Sequence, residues 1–214
     1  MTDCRLCIAP GAKPEALWNQ PILESPNFRL ISTLGCMVEG WVLVVPRQHV
    51  LSLAALDPRT DQELEAFVSR SWNLVEEAFG PACAFEHGPA QPCLKTGCGV
   101  DHAHLHILPS VTNLVAGVDR ELRPQAWLEL LRLPDLRSTV PAGNSYILVA
   151  QPRNRLQCVV AADFPSQLLR RVVASGIGRS DAWNWREHAH LVNASKTYTT
   201  LRGIPRSMTA APQP

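Results

Sequence analysis

Three histidines, His102, His104 and His106, alternate with apolar residues in segment 100–109. Successive side chains of a β-strand point to opposite faces, so a strand here would place the three imidazoles on one face. Neutral imidazole offers a nitrogen lone pair at pH 7 without a separate base, and its attack on phosphorus gives a phospho- or nucleotidyl-histidine. The opposite ring nitrogen must then donate a hydrogen bond inward. A metal-binding strand and a surface histidine cluster are the alternative interpretations.

Two further residues that could bind a metal, Cys4 and Cys7, have the Cys-x-x-Cys spacing of half a zinc site. Two unrelated thiols fit the same spacing, because tetrahedral zinc needs two more ligands. The chain has seven cysteines, an odd number, and no export signal at its N-terminus. We therefore expect reduced thiols or metal ligands, not a disulfide framework, and a cytoplasmic location.

Composition narrows the classes of function. The 214 residues are 46% hydrophobic and 18% charged, with a net charge of +1 and no long run of Lys or Arg. This charge count argues against a basic face for polymeric DNA or RNA, but a small anionic ligand needs only a few donors. A membrane span is also unexpected, because no apolar run approaches about 18 residues.

The hydrophobic pattern indicates a mixed chain with strands and helices in both halves. Period-two alternation and apolar runs predict strands at 28–34, 40–46, 82–86, 100–109, 145–150, 156–161 and 188–201. Spacings of three and four residues predict helices at 57–79, 120–132 and 166–175.

Segment 97–109, Gly-Cys-Gly-Val-Asp-His-Ala-His-Leu-His-Ile-Leu-Pro, resembles the signature of the histidine triad (HIT) superfamily. Pro46-Arg-Gln-His49 resembles the Pro-x-x-His segment of the same family. The resemblance covers residues 1–112 and implies an α+β HIT domain, with an antiparallel sheet of about five strands and a long helix. An α+β extension would occupy 113–214. A homodimer that pairs through the helix and the sheet edge is a further implication.

The resemblance also assigns roles. His104 matches the nucleophile, His106 the residue that supports the site and assists the leaving group, and His102 the first member of the triad. The phosphate would be held by the small residues before the triad, which are Gly97, Cys98 and Gly99. Some relatives also bind structural zinc through four residues, which match Cys4, Cys7, His49 and His102 here.

Three positions depart from the family pattern. Thr33 stands near the place of the ribose-binding Asp, Glu86 replaces an Asn after the central strand, and no hydroxyl side chain lies near Gly99. His87, beside Glu86, either points into the site or lies in a solvated loop. These departures affect the identity of the substrate and leave the nucleophile unchanged.

The resemblance therefore implies a hydrolase that cleaves a phosphoanhydride or phosphoramidate bond at the α-phosphate of a small, adenylate-like nucleotide. A nucleotidyl transferase or phosphorylase is the nearest alternative, although transferase relatives carry Gln where this chain has His106. A non-catalytic, zinc-stabilised nucleotide-binding protein is the alternative from another class.

Two features outside the triad remain open. Ser166-Gln167 followed by Arg170 and Arg171 could begin a helix that offers amides and cations to a phosphate, or a helix with a solvated basic face. The tryptophans Trp41, Trp183 and Trp185 could stack on a base or pack in the core.

Overall fold

The computed structural model describes residues 4–7, 16–93, 99–123, 125–151, 155–161 and 164–204. The strands are β1 Pro21–Glu24, β2 Phe28–Ser32, β3 Val42–Pro46, β4 Ala82–Gly88, β5 Leu105–Pro109, β6 Leu128–Leu130, β7 Ser145–Gln151 and β8 Arg155–Ala161. The α-helices are α1 Asp61–Phe79, α2 Leu114–Leu122, α3 Leu136–Thr139, α4 Leu168–Gly176 and α5 Leu191–Gly203. Short 3-10 helices lie at Leu17–Asn19, Leu53–Ala55, Pro58–Thr60 and Leu133–Asp135.

All eight strands form one antiparallel sheet in the order β1-β2-β3-β5-β4-β7-β8-β6. The predicted α+β class is confirmed. About five strands were predicted, and β1 to β5 match that number. Three further strands from the C-terminal part, β6, β7 and β8, extend the same sheet. Residues beyond the expected boundary at 112 therefore continue the same sheet, through the pairing of β7 with β4.

Helices cover both faces of this sheet. On one face α1 buries Leu64, Phe67, Leu74 and Val75, whose three- and four-residue spacing makes one apolar stripe. On the other face α2 and α4 pack over β4 and β7, through a separate cluster that contains Phe85. The histidines lie on this second face of the sheet.

The predicted strand at 188–201 is wrong, because this segment contains α5. Its buried residues Ala194, Thr197 and Leu201 recur at helical spacing, and tertiary contacts support them. The Thr197 hydroxyl accepts a hydrogen bond from the Gly40 amide, and the Asn193 side chain donates to the Cys36 carbonyl. Tertiary packing of this kind can override the local pattern of a segment.

The predicted helix at 120–132 is also displaced. Helix α2 begins earlier, where the Asn113 side chain accepts a hydrogen bond from the Ala116 amide and caps the helix. It ends at Leu122 because Arg123 precedes a proline, which disfavours helical backbone at that residue. Strand β1 was not predicted, and β5 covers only the second half of the predicted strand at 100–109.

The outer edge of β4 is occupied by β7, with Ala84 opposite Ala150 and Gly88 opposite Tyr146. Backbone groups that would be open to a second chain at this edge are therefore already paired within the chain. Pairing of two copies through β4 is not available. Among the described residues, no helix has the length and apolarity that a bilayer crossing requires.

Candidate active site

The three histidines lie at the start of β5 and in the segment that leads into it. His106 belongs to the strand and pairs across the sheet with Leu43 on one side and Phe85 on the other. His102 and His104 precede the strand, and the Ala103 amide between them donates to the Val50 carbonyl. All three histidines are buried.

The ring orientation of His104 is fixed by one hydrogen bond. Its Nδ1 lies 2.6 Å from the carbonyl oxygen of His102. A carbonyl only accepts, so Nδ1 carries the proton and Nε2 holds the lone pair of the neutral ring. The arrangement leaves Nε2 as the nitrogen able to attack an electrophile.

His106 has the opposite tautomer. The indole Nε1 of Trp41 donates to His106 Nδ1 over 3.0 Å, and an indole N–H cannot accept. Nδ1 is therefore the acceptor and Nε2 carries the proton. The His106 ring also stacks on Phe85 with centroids 4.4 Å apart, and its edge meets the His104 ring at 4.9 Å.

Burial keeps these rings neutral. It lowers the pKa of His104 to about 4, against a weaker opposing effect of the hydrogen bond to His102. Burial also lowers the pKa of His106 far below its ordinary value, and neighbouring positive charge, including that of Arg170, acts in the same direction. A neutral His104 ring is the form that has a nucleophilic lone pair.

His102 faces away from His104, toward the N-terminal cysteines. Its Nε2 donates to the carbonyl of Pro46 over 2.8 Å, so Nδ1 holds the lone pair. That Nδ1 lies 3.5 Å from the Sγ atoms of both Cys4 and Cys7. A histidine nitrogen directed at two thiols, with its other nitrogen bonded to a carbonyl, is the usual arrangement of a metal ligand.

Cys4, Cys7, His49 and His102 could hold a metal ion, because their ligand atoms all lie within 4.8 Å of one another. His49 Nδ1 is 3.2 Å from Cys7 Sγ. In a tetrahedron with ordinary Zn–S and Zn–N bond lengths, a nitrogen and a sulfur stand about 3.5 Å apart. The three separations between His nitrogens and Cys sulfurs, from 3.2 to 3.5 Å, are close to that edge length, so the donor set is compatible with zinc.

The cysteine segment is anchored to the sheet by Leu6. Its side chain is buried against Ile31, Leu43 and Val45, and its carbonyl accepts a hydrogen bond from the Arg29 guanidinium. These contacts hold the residues between Cys4 and Cys7 against the same face of the sheet as the histidines.

A small cavity of about 20 Å³ lies beside the rings of His104 and His106. Its lining comprises Arg5, Leu6, Thr33, Leu34, Leu43, Val100, His104, His106, Arg170 and Trp185. The volume suffices for about one water molecule. A group larger than water would reach His104 through this cavity only if some of these side chains moved.

The structure brings some of the predicted substrate residues to this face. Thr33 lines the cavity, and His87 is buried on the same side of β4 as Phe85. The amide of Leu169 donates to His87 Nε2 over 3.4 Å, and burial lowers the pKa of this histidine to about 3.

Other predicted substrate residues lie elsewhere. Glu86 alternates to the opposite face of the sheet, where its carboxyl group accepts hydrogen bonds from the Leu53 amide and the Tyr146 hydroxyl. It is therefore not brought together with the histidines. Gly99 is exposed, and its carbonyl lies 3.4 Å from the Arg186 guanidinium. Gly97 and Cys98 lie outside the described residues.

One residue of the site, Arg5, was not identified from the sequence pattern; it lies between the two cysteines. Trp41 was considered for stacking or the core, and it is buried and donates to His106. Arg170 is buried, which excludes the solvated basic face considered for it. The only sequence signal for Arg5 was its place within Cys-x-x-Cys, because nothing local shows that the motif folds onto the histidine strand.

Comparison with known proteins agrees with this geometry. Residues 18–113 match the family model described as HIT domain. No curated protein matches the chain. None of the six described cysteines forms a disulfide.

Two solved structures are similar to part of the chain. A Hit-like protein involved in cell-cycle regulation from Bartonella henselae is 20% identical, with 45% of this chain and 70% of that chain covered and a TM-score of 0.37. A hypothetical histidine triad nucleotide-binding protein from Sulfolobus tokodaii strain 7 is 22% identical, with 42% and 59% covered and a TM-score of 0.35. The segment of this chain that matches the HIT domain model, residues 18–113, contains all three histidines and His49.

Proposed function

We propose that the protein hydrolyses a nucleotide-like substrate at its α-phosphate through a covalent intermediate on His104, and releases a nucleoside monophosphate. The observation that supports this most strongly is the hydrogen bond from His104 Nδ1 to the His102 carbonyl. It leaves the Nε2 lone pair on a ring that lines the cavity.

In the first step the His104 Nε2 lone pair forms a bond to phosphorus, and the bond from phosphorus to the leaving group breaks. The leaving group departs with the electron pair. The Nδ1 proton stays hydrogen-bonded to the His102 carbonyl, which stabilises the positive charge that develops on the ring. His106 donates its Nε2 proton in a hydrogen bond to the reacting group.

In the second step water attacks phosphorus and the N–P bond breaks. The electron pair returns to His104 Nε2, and the proton of the water passes to solvent. Thr33 and His87 are the proposed substrate contacts, since Thr33 lines the cavity and His87 is buried on the same face. Gly99 and its neighbours are proposed to hold the phosphate, as the family resemblance implies.

We further propose that Cys4, Cys7, His49 and His102 bind a structural zinc ion. With four protein ligands the ion has no open position, so it supplies rigidity and no Lewis-acid chemistry. The four residues would tie the N-terminal segment to His102, whose carbonyl orients His104. One equivalent of zinc is expected in purified protein. The variant with Cys4→Ser and Cys7→Ser should contain none, and full retention of zinc by this variant would exclude the site.

The domain division at 1–112 and 113–214 also remains a proposal. Residues from both parts line the cavity, so the C-terminal part is proposed to contribute to substrate choice. A homodimer would require a surface other than the occupied edge of β4.

Turnover of a panel of adenylated compounds tests the function, with His104→Ala as the matched variant. The wild type should release AMP, and the variant should lose turnover while it keeps its fold and zinc content. A variant rate within about tenfold of the wild type, a barrier change of only ~1.4 kcal/mol, contradicts the role of His104. Release of nucleoside diphosphate on addition of phosphate would instead identify a phosphorylase. Tight AMP binding without any turnover would identify a binding protein.

A further inference from the structure

A buried arginine, Arg29, lies beside the candidate metal cluster. It belongs to β2 and is only 4% exposed. Side chains two residues apart on a strand share a face, so Arg29 is on the face of Ile31, which packs against Leu6. Arg29 therefore lies beneath the cysteine segment, residues 4–7, and not in solvent.

Arg29 is hydrogen-bonded to the cysteine segment. Its Nη2 donates to the carbonyl of Leu6, and its buried Nε has no hydrogen-bond partner among the described residues. Glu24 lies opposite it on β1, but that carboxylate forms its ion pair with Arg47, over 2.7 Å. Within the described ranges Arg29 forms no salt bridge of its own. Because burial of an unpaired guanidinium is unfavourable, a negative group is expected next to it.

The charged groups around Arg29 indicate that the thiols are its anionic partners. Burial lowers the pKa of Arg29, and the nearby Arg47 lowers it further. Cys7, Glu24 and Cys4 oppose this effect, and Cys7 does so more than Glu24. The strongest favourable interaction of the guanidinium charge is therefore with a sulfur of the cluster and not with a carboxylate.

Zinc binding would create negative charge next to Arg29. Zinc is bound by thiolates, so each cysteine thiol loses its proton to solvent as a Zn–S bond forms, while His49 and His102 bind as neutral rings. A zinc ion with two thiolates has no net charge, but its negative end is at the sulfurs. Groups that surround the ligands of a metal commonly set its affinity. A cation on the sulfur side therefore favours the zinc-bound form.

We propose that Arg29 stabilises the two thiolates of the zinc site with its positive charge, and so raises the affinity of the protein for zinc. The inference rests on the zinc site proposed above and deepens it. Since the carbonyl of His102 orients His104, Arg29 is a positioning residue that acts on the histidines through the metal cluster. The alternative is that Arg29 only anchors the cysteine segment through its hydrogen bond to the Leu6 carbonyl.

Three variants separate the charge of Arg29 from its hydrogen bond. Arg29→Gln removes the charge and keeps a donor, whereas Arg29→Lys keeps the charge without the guanidinium fork. Arg47→Gln is the matched control, because Arg47 directly follows β3 and its side chain is 45% exposed and paired with Glu24. Titration of each zinc-loaded protein with a chromophoric chelator of known zinc affinity gives the Kd for zinc.

Arg29→Gln should weaken zinc binding about tenfold or more, as expected when a partner of the metal ligands is removed. Arg29→Lys and Arg47→Gln should stay within about threefold of the wild type, since the first keeps the charge and the second removes an exposed one. An unchanged Kd in Arg29→Gln would overturn the proposal. Equal losses in Arg29→Gln and Arg29→Lys would also overturn it, because they would leave only the anchoring role. If Arg29→Gln does not fold, a loss of about tenfold in Arg29→Lys would contradict the proposal.

Cobalt(II) in place of zinc provides a spectroscopic signal that an anchoring residue would not change. The energy of the charge-transfer band from thiolate to cobalt depends on how strongly the sulfur electrons are held. Loss of a nearby positive charge should move this band to longer wavelength in Arg29→Gln, whereas Arg29→Lys and Arg47→Gln should keep the wild-type position. A band at the wild-type position in Arg29→Gln would overturn the proposal.

Neither measurement involves turnover, so the outcome is separate from that of the proposed hydrolysis. Wild-type protein that binds no zinc or cobalt would exclude the metal site and this inference together, and would leave the role of His104 to its own test. Wild-type protein that binds zinc with an affinity independent of Arg29 would exclude this inference alone.

Discussion

The Nδ1 proton of His104 is donated to the carbonyl oxygen of His102, 2.6 Å away, while the His102 ring is turned toward Cys4 and Cys7. One residue thus orients the proposed nucleophile with its backbone and joins the candidate metal cluster with its side chain. Rigidity at the cluster is transmitted to His104 through a single peptide unit.

Removal of the indole donor tests the tautomer of His106. Trp41→Phe keeps an aromatic ring against Phe85 but leaves His106 Nδ1 without its partner. The free energy of unfolding should fall by about 1–3 kcal/mol because a buried acceptor loses its hydrogen bond. The kcat should fall about tenfold. Long-range ¹⁵N–¹H NMR should show the Nε2–H tautomer in the wild type, and an Nδ1–H signal there would contradict the assignment.

Glu86 should make the protein less stable as the pH rises. Burial raises the pKa of this carboxyl from 4.5 to about 8. The folded state therefore binds a proton that the unfolded state has released, and the contribution present at low pH is lost between these values. In this range the free energy of unfolding should fall by up to about 1.4 kcal/mol per pH unit.

Urea unfolding at several pH values measures this contribution. Glu86→Gln cannot ionise and should flatten the fall in the free energy of unfolding between pH 5 and pH 8, about the interval set by the two pKa values. Buried histidines titrate in both proteins, so the difference between the two curves isolates Glu86. Parallel curves would mean that the carboxyl is ionised in the folded protein.

Much of the fold was accessible from sequence, because local patterns suffice for elements whose partners are close in the chain. The β2–β3 hairpin, α1 and the β7–β8 hairpin are examples. The addition of β7 to β4 was not predicted, since strand pairing between residues about 60 apart leaves no local pattern. Helix α5 was missed because its contacts with Cys36 and Gly40 are tertiary.

The residues of the candidate site also fall into those that the sequence identifies and those that only the tertiary structure places. His102, His104 and His106 follow from strand alternation, and the four metal residues follow from the resemblance. Arg5 reaches the cavity only through folding of the N-terminal segment onto the sheet, so its place there emerges only from the three-dimensional structure. Arg170 was considered from the sequence as a cation for a phosphate, but its place in the lining beside His104 depends on the tertiary fold. Glu86 was placed near the substrate by analogy, but the same alternation rule puts it on the other face.

Gly35 allows the close approach of Arg170 and Trp185. A Cβ atom at this position would overlap the Arg170 guanidinium and the Trp185 side chain, and the residue has φ of +71°. Gly35→Ala should therefore destabilise the fold by more than the cost of positive φ alone, about 1 kcal/mol. It should also lower kcat/KM, because Arg170 is displaced.

Gly143→Ala is the matched control, since Gly143 has φ of +80° and a Cβ added there would meet nothing within 4 Å. Gly143→Ala should lower the thermal stability by the cost of a non-glycine residue at positive φ, and it should keep full activity. If both variants lose equal stability and keep full activity, the close packing of Arg170 against Gly35 has no functional importance.

The most direct test of the central claim is mass spectrometry of the protein trapped during turnover. A rapid alkaline quench with diadenosine tetraphosphate should give a chain heavier by one adenylyl group, and peptide mapping should place that group on His104. His104→Ala should give no adduct. Turnover with no adduct on the wild type, or an adduct on another residue, would contradict covalent catalysis by His104.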